Sequence, residues 1–367
     1  MNTKIGIVTF HRANNYGAVL QNLALVHMLQ HMCPGAEVKT IDYRCPRLEQ
    51  PYEKKPFDVE THNIARRIYN CIRAKMANPG YLRLKSEFDS FRKRYLNMTD
   101  AYSEESLLNK DLNFDLYITG SDQVWNKKIV GEEDKVFSLA FAKGKRAISY
   151  AASAGSVELL SDATMNAISQ LSAISVREQD LQSVLSRSLN QQVQLVVDPV
   201  FLLTRKTWED FLPKERLIKE KYIFTYSVSE KTSEVIQIAK KIAASKKCKI
   251  VHLDLSLKYG LRGKNMYGAA PLEFVQLIRD AEQMVVSSFH AVAFSIIFGK
   301  KFIVVPTEKT SSRIEHLLEL AGLKGCIVSS YKEFISNRMV SQYTDCVVLE
   351  NERKRSLDYL KTQIETL

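Results

Sequence analysis

The sequence predicts an α/β protein with two lobes, each built on a parallel sheet. The chain has 367 residues, which suits two domains of ordinary size. In both halves, short apolar runs rich in β-branched residues alternate with segments of helical periodicity, as strand–helix–strand units require. A polar stretch at 201–220, which contains Pro213, interrupts the alternation and is the expected link between the lobes.

We assign the first lobe to residues 1–205, the second to 206–350, and a C-terminal helix to 351–367, which is expected to pack back across the cleft. The first lobe contains predicted strands at 4–10, 38–43, 116–119, 147–152, 173–176 and 194–197, and helices at 17–31, 157–171 and 179–187. The second contains strands at 222–228, 249–253, 284–288 and 302–305, and helices at 233–244, 271–281, 290–298 and 311–321. Since ligands bind beyond the carboxyl ends of such strands, the chemistry is expected there.

A basic insertion at about 60–100 lies within the first lobe, in a chain whose net charge is +11. Its apolar periodicity predicts two helices separated by a break at Asn78-Pro79-Gly80. The insertion is either a solvated helical face or a surface for an anionic partner such as a membrane. No nucleic acid is expected, because base-recognition motifs and interleaved aromatic residues are absent. The basic residues are Arg66, Arg67, Arg73, Lys75, Arg83, Lys85, Arg92, Lys93 and Arg94.

Composition and missing motifs narrow the class further. No segment reaches the roughly 18–20 apolar residues of a membrane span, and the N-terminus lacks the order of a signal peptide, so a cytoplasmic protein is expected. The six cysteines form no C-x-x-C pair, which is typical of reduced thiols. A Walker loop, H-E-x-x-H, G-x-S-x-G and a D-x-D run are all absent, so no metal is expected.

Two polar loops follow predicted strands of the first lobe. Asn14-Asn15-Tyr16 precedes a helix, and it is either a structural N-cap or a site for an anion or a sugar oxygen. The second loop, TGSDQVWN at 119–126, is dense in polar side chains. A sugar-binding site with a stacking Trp is favoured there over a turn whose Trp packs in the core.

Charged residues stand at two further strand ends. Arg177 can grip a phosphate or carboxylate with two hydrogen bonds, or it can pair with the adjacent Glu178. Asp198 follows an apolar strand and can act as a base, although Asp-Pro is also a common strand stop.

The junction Ser287-Ser288-Phe289-His290 combines two hydroxyls, a helix N-terminus and a titratable histidine. Its structural interpretation is Ser288 as N-cap with a core histidine behind it. Arg313, on the helix at 311–321, adds a cation or is a surface arginine.

In order and spacing, these motifs resemble the polysaccharide pyruvyl transferase family from about Ile5 to Leu323. The segments that carry the resemblance are NNYGAVLQNLAL, GSDQVWN, SVRE, VVDPVF, SSFHAVAFSIIFGKKFI and SRIEHLLELAGL. The resemblance implies a GT-B-like architecture, with two Rossmann-like lobes facing a central cleft. It also implies an enzyme of capsular or exopolysaccharide biosynthesis that moves the pyruvyl group of phosphoenolpyruvate onto two sugar hydroxyls. The product would be a cyclic ketal, with phosphoenolpyruvate as co-substrate and no cofactor.

The resemblance implies roles residue by residue. Arg177 matches the family arginine that holds phosphoenolpyruvate, and His290 matches the histidine that protonates the enol methylene or the leaving phosphate. Asp198 and Asp122 are then candidates for deprotonating or orienting the sugar hydroxyls. The further predicted contacts are Ser287, Ser288 and Arg313 to the donor, and Asn14, Asn15, Tyr16, Gln123, Trp125 and Asn126 to the acceptor.

One position departs from the family, because many members have Arg where Ser288 stands. Either Arg313 or the basic insertion compensates, or this chain uses another donor. Two other functions stay open: a GT-B glycosyltransferase that uses a nucleotide sugar, and a non-catalytic protein that binds a glycan or scaffolds a complex. A lipid-linked oligosaccharide acceptor, met by peripheral association with the inner face of the membrane, would account for the basic insertion. The oligomeric state, the sugar and its hydroxyl pair are not predicted.

Overall fold

The computed structural model describes residues 3–53, 64–227, 231–253, 263–307, 311–336 and 347–367. Its contacts divide the chain into two compact units. The first unit consists of Met1–Glu53, Ser90–Leu203 and Glu350–Leu367, and the second of Lys54–Asp89 and Thr204–Leu349.

The first unit is built on a parallel sheet of buried apolar strands. These strands are β1 (Lys4–Val8), β2 (Glu37–Tyr43), β3 (Met98–Tyr102), β4 (Leu116–Thr119) and β5 (Arg146–Ser149). Their order in the sheet is β3-β2-β1-β4-β5, so β1 lies at the centre. The strands β6 (Ile174–Val176) and β7 (Val193–Leu195) form a separate two-stranded parallel sheet, which bridges Ile148↔Ala173 and Ala152↔Val176 connect to the first.

Helices alternate with these strands along the chain, and one of them differs from the expected pattern. They are α1 (Tyr16–Met32), α2 (Pro46–Glu53), α3 (Ile64–Tyr95), α4 (Glu104–Leu108), α5 (Lys127–Val130), α6 (Asp162–Ile168) and α7 (Gln179–Leu189). The helix predicted at 157–171 is instead a 3₁₀ turn at Val157–Leu159 followed by α6. The break arises because the Ser161 hydroxyl accepts a hydrogen bond from the Thr164 N–H and starts a new helix.

The basic insertion is one helix rather than two, because α3 continues through Pro79. An internal proline costs about 3 kcal/mol, but burial of Tyr81, Phe88 and Phe91 on one face of the helix offsets this penalty. The side chains of Arg66, Arg67 and Arg73 lie outside the described residues.

Most of α3 groups with the second unit, whereas the sequence places the insertion in the first lobe. The reason is contact far along the chain. Gly80 lies against Tyr267, where an added Cβ would meet the ring at 2.6 Å. Arg83 donates two hydrogen bonds of 2.8 Å to the carboxylate of Glu273.

The second unit repeats the parallel design. Its strands are β8 (Tyr222–Tyr226), β9 (Lys249–His252), β10 (Lys264–Asn265), β11 (Gln283–Val286) and β12 (Phe302–Val304), in the order β10-β9-β8-β11-β12. Its helices are α8 (Arg205–Asp210), α9 (Thr232–Lys246), α10 (Pro271–Asp280), α11 (Phe289–Ile297), α12 (Ser311–Leu320) and α13 (Tyr331–Ser336). Phe294 of the buried α11 packs edge-on against Trp208 at 4.9 Å and Phe274 at 6.2 Å.

The last helix, α14 (Val347–Glu365), returns to the first unit. The Tyr359 hydroxyl donates to the carbonyl of Ser149 at 2.9 Å, and the Val197 N–H donates to the hydroxyl of Ser356 at 3.0 Å. The C-terminus therefore stabilises strand ends that lie far away in sequence. Across the described parts of the chain, no helix is both long and apolar enough to cross a membrane.

Candidate functional site

A buried ionic cluster lies beyond the carboxyl ends of β4, β6 and β7. Arg177, whose side chain is 3% exposed, donates from Nη1 to Asp198 Oδ2 at 2.6 Å and from Nε to Glu178 Oε1 at 3.2 Å. Its Nη2 lies 3.7 Å from Asp122 Oδ1. We call these four residues the carboxylate cluster, because one cation faces three acidic groups.

The cluster holds Arg177 firmly in its charged state. Burial alone disfavours the guanidinium charge, but the carboxylates of Glu178, Asp198 and Asp122 outweigh it and raise the pKa of Arg177 above its usual value. A phosphate or carboxylate of a ligand would therefore compete with these three groups for the arginine. The role of Arg177 in holding phosphoenolpyruvate stays a prediction.

Asp198 is placed by the chain segment that follows β7. Pro199 starts a 3₁₀ turn at Pro199–Phe201, and Asp198 Oδ1 accepts the Val200 N–H of this turn at 3.2 Å. The other oxygen, Oδ2, receives Arg177 and the Ser121 hydroxyl, the latter at 3.4 Å. β7 ends at Leu195, three residues before Asp198, and the Asp198 carboxylate belongs to the cluster.

The loop after β4 is held tightly to β1 and α1. The Ser121 N–H donates to Gln21 Oε1 at 3.2 Å, and its carbonyl accepts from Thr9 Oγ1 at 2.9 Å. Gly120 has φ +124°, and a Cβ added there would lie 2.1 Å from the carbonyl oxygen of Tyr150. Only glycine fits this close approach, which aims the next two residues at the cluster.

The first polar loop is a cap as well as a candidate site. Asn15 is the N-cap of α1, and its Oδ1 accepts the N–H groups of Gly17 and Ala18 at 2.9 and 3.3 Å. Asn14 is partly exposed beside it, and Tyr16 is buried.

Tyr52 on α2 links the two polar loops, and sequence reasoning missed it. Burial raises the pKa of the Tyr52 hydroxyl, the nearby charge of Asp122 raises it further, and a hydrogen bond with Asn15 opposes the rise. The hydroxyl therefore lies close to both loops at the carboxyl edge of β1 and β4. A tyrosine in a short helix just after a strand was the available signal.

A second missed cluster braces the loop after β1. His11, 1% exposed, lies 3.0 Å from Asp42 Oδ1 through Nε2 and 3.0 Å from the Thr9 carbonyl through Nδ1. Arg12 also pairs with Asp42. Burial opposes ionisation of Asp42, but hydrogen bonds from His11 and Arg12 outweigh it and hold the pKa of its carboxyl well below its usual range. An acidic residue inside the apolar run of β2 was the available signal.

The second polar loop turns its Trp inward. Trp125 is 0% exposed and packs in the core of the first unit, so its ring has no face on which a sugar could stack. Asn126 is also buried. Its Oδ1 caps α5 by accepting the Lys128 N–H at 3.0 Å, and its Nδ2 donates to Gln123 Oε1 at 2.7 Å. Of the acceptor contacts predicted in this loop, Gln123 is partly exposed.

The second unit carries the predicted donor residues at the junction of β11 and α11. Ser288 occupies the N-cap position, but its side chain makes no capping hydrogen bond. The Ser287 hydroxyl donates to that of Ser227 at 3.1 Å. His290 is buried in the first turn of α11, with the Phe289 ring edge-on at 5.2 Å. Arg313 is partly buried on α12.

Strand β9, which lies on the other side of β8 from β11, ends at a further buried histidine that the sequence did not single out. His252 Nδ1 lies 2.7 Å from the Thr225 hydroxyl. Burial, and to a smaller extent the charge of Lys240, lowers the pKa of His252 to about 4. His252 is therefore neutral at pH 7. Within the described residues, no group of three or more His, Cys, Asp or Glu side chains is arranged to hold a metal ion.

Comparison with solved structures places the fold. The chain superposes on a UDP-N-acetylglucosamine 2-epimerase with a TM-score of 0.59 and 9% identity, covering 100% of this chain and 98% of that one. It superposes on MnaA of S. aureus, solved with UDP, with a TM-score of 0.55 and 10% identity, covering 100% and 98%. For UDP-GlcNAc 2-epimerase of Methanocaldococcus jannaschii, the TM-score is 0.50 and the identity 12%, covering 98% and 100%. The fold is thus GT-B-like, with two Rossmann-like units, as predicted.

Sequence comparison identifies the family. No curated protein matches the chain significantly. The family model for polysaccharide pyruvyl transferase matches residues 15–309, which include Asn15 and Tyr16 of the first polar loop, the whole second loop, the carboxylate cluster and the junction that carries His290. The resemblance noted in the motifs is thereby confirmed over most of the chain, and this protein belongs to the polysaccharide pyruvyl transferase family of enzymes.

Proposed function

We propose that this enzyme transfers the pyruvyl group of phosphoenolpyruvate onto two hydroxyls of a sugar, forming a cyclic ketal in the biosynthesis of a capsular polysaccharide or exopolysaccharide. The observation that carries the proposal is the carboxylate cluster at the carboxyl edge of the first unit. There, the carboxylates of Asp198 and Asp122 both contact the guanidinium of Arg177. Such carboxylates are suited to accept protons from sugar hydroxyls.

The proton balance of the reaction defines what the residues must do. The methylene carbon of phosphoenolpyruvate gains one proton and becomes a methyl group, which makes the central carbon electrophilic. Two sugar oxygens then form bonds to that carbon, and the bond to the phosphate oxygen breaks. The two hydroxyl protons balance the one gained by the methyl group and the one that leaves with phosphate.

In this scheme the two units have different tasks. Asp198 and Asp122 accept or orient the hydroxyl protons, and Arg177 pairs with both carboxylates. His290, in the first turn of α11, protonates the methylene carbon or the leaving phosphate. The uncapped N-terminus of α11, with the Ser287 and Ser288 hydroxyls, favours the negative charge of the donor.

Phosphate release with phosphoenolpyruvate and a panel of hexosides, together with the mass of the product, tests the proposal. Turnover is expected, and His290→Gln should reduce it by about 10²–10⁴-fold, as loss of a general acid does. His316→Gln, a change on α12 of the same unit, is the matched control and should leave turnover intact. If no hexoside turns over, and nucleotides stabilise the protein against heat while phosphoenolpyruvate does not, the donor assignment is wrong. That result would favour a nucleotide-sugar glycosyltransferase.

We also propose a lipid-linked acceptor, reached by peripheral association with the inner face of the cell membrane. Ile72 and Leu82 are each 55% exposed, and they share one face of α3 with the exposed Lys75. Exposed apolar groups beside basic ones suit an anionic bilayer surface.

Sedimentation with vesicles tests this association. Binding to vesicles that contain anionic lipid is expected, with weaker binding at high salt and to neutral vesicles. Leu82→Glu should weaken it. Ile335→Glu, a control at an exposed apolar position of α13 (52% exposed), should not. Equal sedimentation of the Leu82 variant and the parent would exclude α3 as the contact.

A further inference from the structure

Asn14 is held in one orientation by a buried arginine of α3. Arg92, 3% exposed, donates from Nε to the His11 carbonyl at 2.7 Å and from Nη2 to the carbonyls of Arg12 and Ala13 at 3.0 and 3.3 Å. The same Nη2 donates to Asn14 Oδ1. An arginine has no acceptor atom, so it can face only the oxygen of the amide. The Asn14 NH₂ group must therefore point away from Arg92.

Gln123 is oriented in the same sense by a different neighbour. Asn126 Oδ1 accepts the Lys128 N–H that caps α5, so Asn126 Nδ2 is its remaining polar atom. This Nδ2 donates to Gln123 Oε1 at 2.7 Å, and the Gln123 NH₂ group consequently faces the other way. Among the residues described, neither Asn14 Nδ2 nor Gln123 Nε2 has a protein acceptor, and both side chains are partly exposed.

The two amides lie at one edge of one sheet. The loop that carries Asn14 follows β1, and the loop that carries Gln123 follows its neighbour β4, with Val8 paired to Thr119. The Tyr52 hydroxyl lies close to both loops, through Asn15 and Asp122. The backbone N–H of Gln123 donates to Asp122 Oδ1 at 2.9 Å, so Gln123 directly follows a member of the carboxylate cluster that its own main chain holds.

We propose that Asn14 and Gln123 form a pair of hydrogen-bond donors that bind oxygen atoms of the acceptor sugar, and that Arg92 and Asn126 are positioning residues that fix this polarity. The inference rests on the proposed function and deepens it. A hydroxyl that attacks carbon needs a base for its proton and a donor for its oxygen, where negative charge develops. Asp122 and Asp198 supply the first, and the two amides supply the second.

The positioning role of Asn126 has a direct test, because Asn126→Asp should reverse the orientation of the Gln123 side-chain amide while Gln123 itself is not substituted. Aspartate still caps α5, since it is a good N-cap residue. Its second oxygen, however, can only accept, so the Gln123 NH₂ turns inward and its oxygen turns outward. The KM for the sugar should rise roughly tenfold, the value of one lost hydrogen bond at the upper end of its range. The KM for phosphoenolpyruvate should stay unchanged.

The positioning role of Arg92 is tested by a double-mutant cycle, in which the KM for the sugar is measured for each variant. Asn14→Ala and Arg92→Lys should each raise this KM by roughly three- to tenfold. The double variant should be no worse than Asn14→Ala alone, since Arg92 acts through Asn14. Asn97→Asp is the matched control: it loses a donated hydrogen bond of 2.8 Å to the Val38 carbonyl, at the amino edge of the same sheet. Its KM for the sugar should match that of the parent.

Failure of the proposed donor pair can be distinguished from failure of the proposed function. If the parent enzyme turns over no sugar, the same variants are compared by NMR titration with methyl glucoside, methyl galactoside and methyl mannoside. Weaker sugar binding by Asn126→Asp than by the parent and Asn97→Asp supports the donor pair in either assay. Equal KM or Kd values for Asn126→Asp and the parent, additive effects of Arg92→Lys and Asn14→Ala, or no binding of any methyl glycoside would overturn it. Circular dichroism is used to check that each variant is folded. Gln123→Glu, which removes the proposed donor directly, replaces any variant that is not.

Discussion

Replacing Arg177 by Met would remove the only cation of the carboxylate cluster while filling much of the same volume. The Asp198 side chain, 0% exposed, would keep the Ser121 hydroxyl and the Val200 N–H but lose its 2.6 Å contact with the guanidinium. Glu178 and Asp122 would face it without a counter-charge. Removing one partner of a buried ion pair costs about 3–5 kcal/mol, and for a unit of this size that corresponds to roughly 6–20 °C in melting temperature.

The penalty should depend on pH in a defined direction. In the variant, protonation relieves the repulsion between buried carboxyls, so the folded state binds protons more readily than the unfolded state does. Stability then falls as pH rises, and the loss relative to the parent is larger at pH 8 than at pH 5. Arg177→Lys, which keeps the charge but loses the forked geometry, should be destabilised less. The double variant Arg177→Met/Asp198→Asn should recover part of the loss, because one buried charge is gone.

Urea denaturation followed by circular dichroism at pH 5 and pH 8 measures these differences, with the transition of the first unit fitted separately. Equal free energies of unfolding for Arg177→Met and the parent at both pH values would refute the stabilising role of Arg177. A raised KM for phosphoenolpyruvate with unchanged stability would instead mean that Arg177 serves the donor and not the cluster.

Further expectations concern single buried groups. Burial raises the pKa of Asp134 to about 6. The protonated carboxyl therefore stabilises the fold below about pH 4, and this contribution is lost as pH rises through 6. Asp134→Asn should raise the melting temperature at pH 8 and change it little at pH 4. The pKa of His252 is lowered to about 4. The neutral imidazole therefore contributes its full stability to the fold above about pH 6.5, and this contribution is lost as pH falls towards 4. In His252→Gln, the melting temperature should fall less between pH 7 and pH 5 than it does in the parent. Trp125→Phe should cost about 1–3 kcal/mol of stability and leave the KM for the sugar unchanged. Gly120→Ala should destabilise by several kcal/mol, roughly the sum of backbone strain and overpacking, because its Cβ would approach the Tyr150 carbonyl oxygen to 2.1 Å.

Each of these has a contradicting result. Equal melting of Asp134→Asn and the parent at pH 8 would mean that the carboxyl is ionised at no cost. An unchanged pH dependence in His252→Gln would assign the acid sensitivity of the second unit to another group. A raised KM in Trp125→Phe would restore the sugar-stacking hypothesis, and a parent-like melting temperature for Gly120→Ala would mean that the loop after β4 relaxes freely.

The strands and their carboxyl ends could be read from the sequence, because apolar runs buried on both faces of a parallel sheet leave a strong local signal. The candidate residues at 119–126, 177, 198 and 287–290 therefore lie where the alternation predicted, and the GT-B-like fold class is confirmed. Their chemical roles stay predictions. Pro79 was interpreted as a helix break because local propensity forbids it, whereas burial of neighbouring aromatic side chains keeps α3 continuous.

Burial and pairing of polar side chains could not be read in this way, since they depend on partners far along the chain. Arg92 belongs to a basic run that suggested a solvated surface, yet it is buried and hydrogen-bonded to the loop 78–81 residues before it. Trp125 stands among polar residues, yet its ring is in the core. Periodicity reports which face of a helix is apolar, and it carries no information about which polar atom finds a buried acceptor.

By itself, the sequence determined the family, the two parallel-sheet units and the strand ends at which charged and polar side chains gather. These follow from local patterns and from motifs that keep their order and spacing. Only the tertiary structure decided that Arg177 is surrounded by three carboxylates, that Asp42 and His11 form a buried pair, and that the side-chain oxygens of Asn14 and Gln123 accept hydrogen bonds from Arg92 and Asn126. The physical reason is that electrostatic and hydrogen-bond partners are set by distance in space, and folding brings together groups that lie far apart in the sequence, as Tyr359 and Ser149 do at a separation of 210 residues.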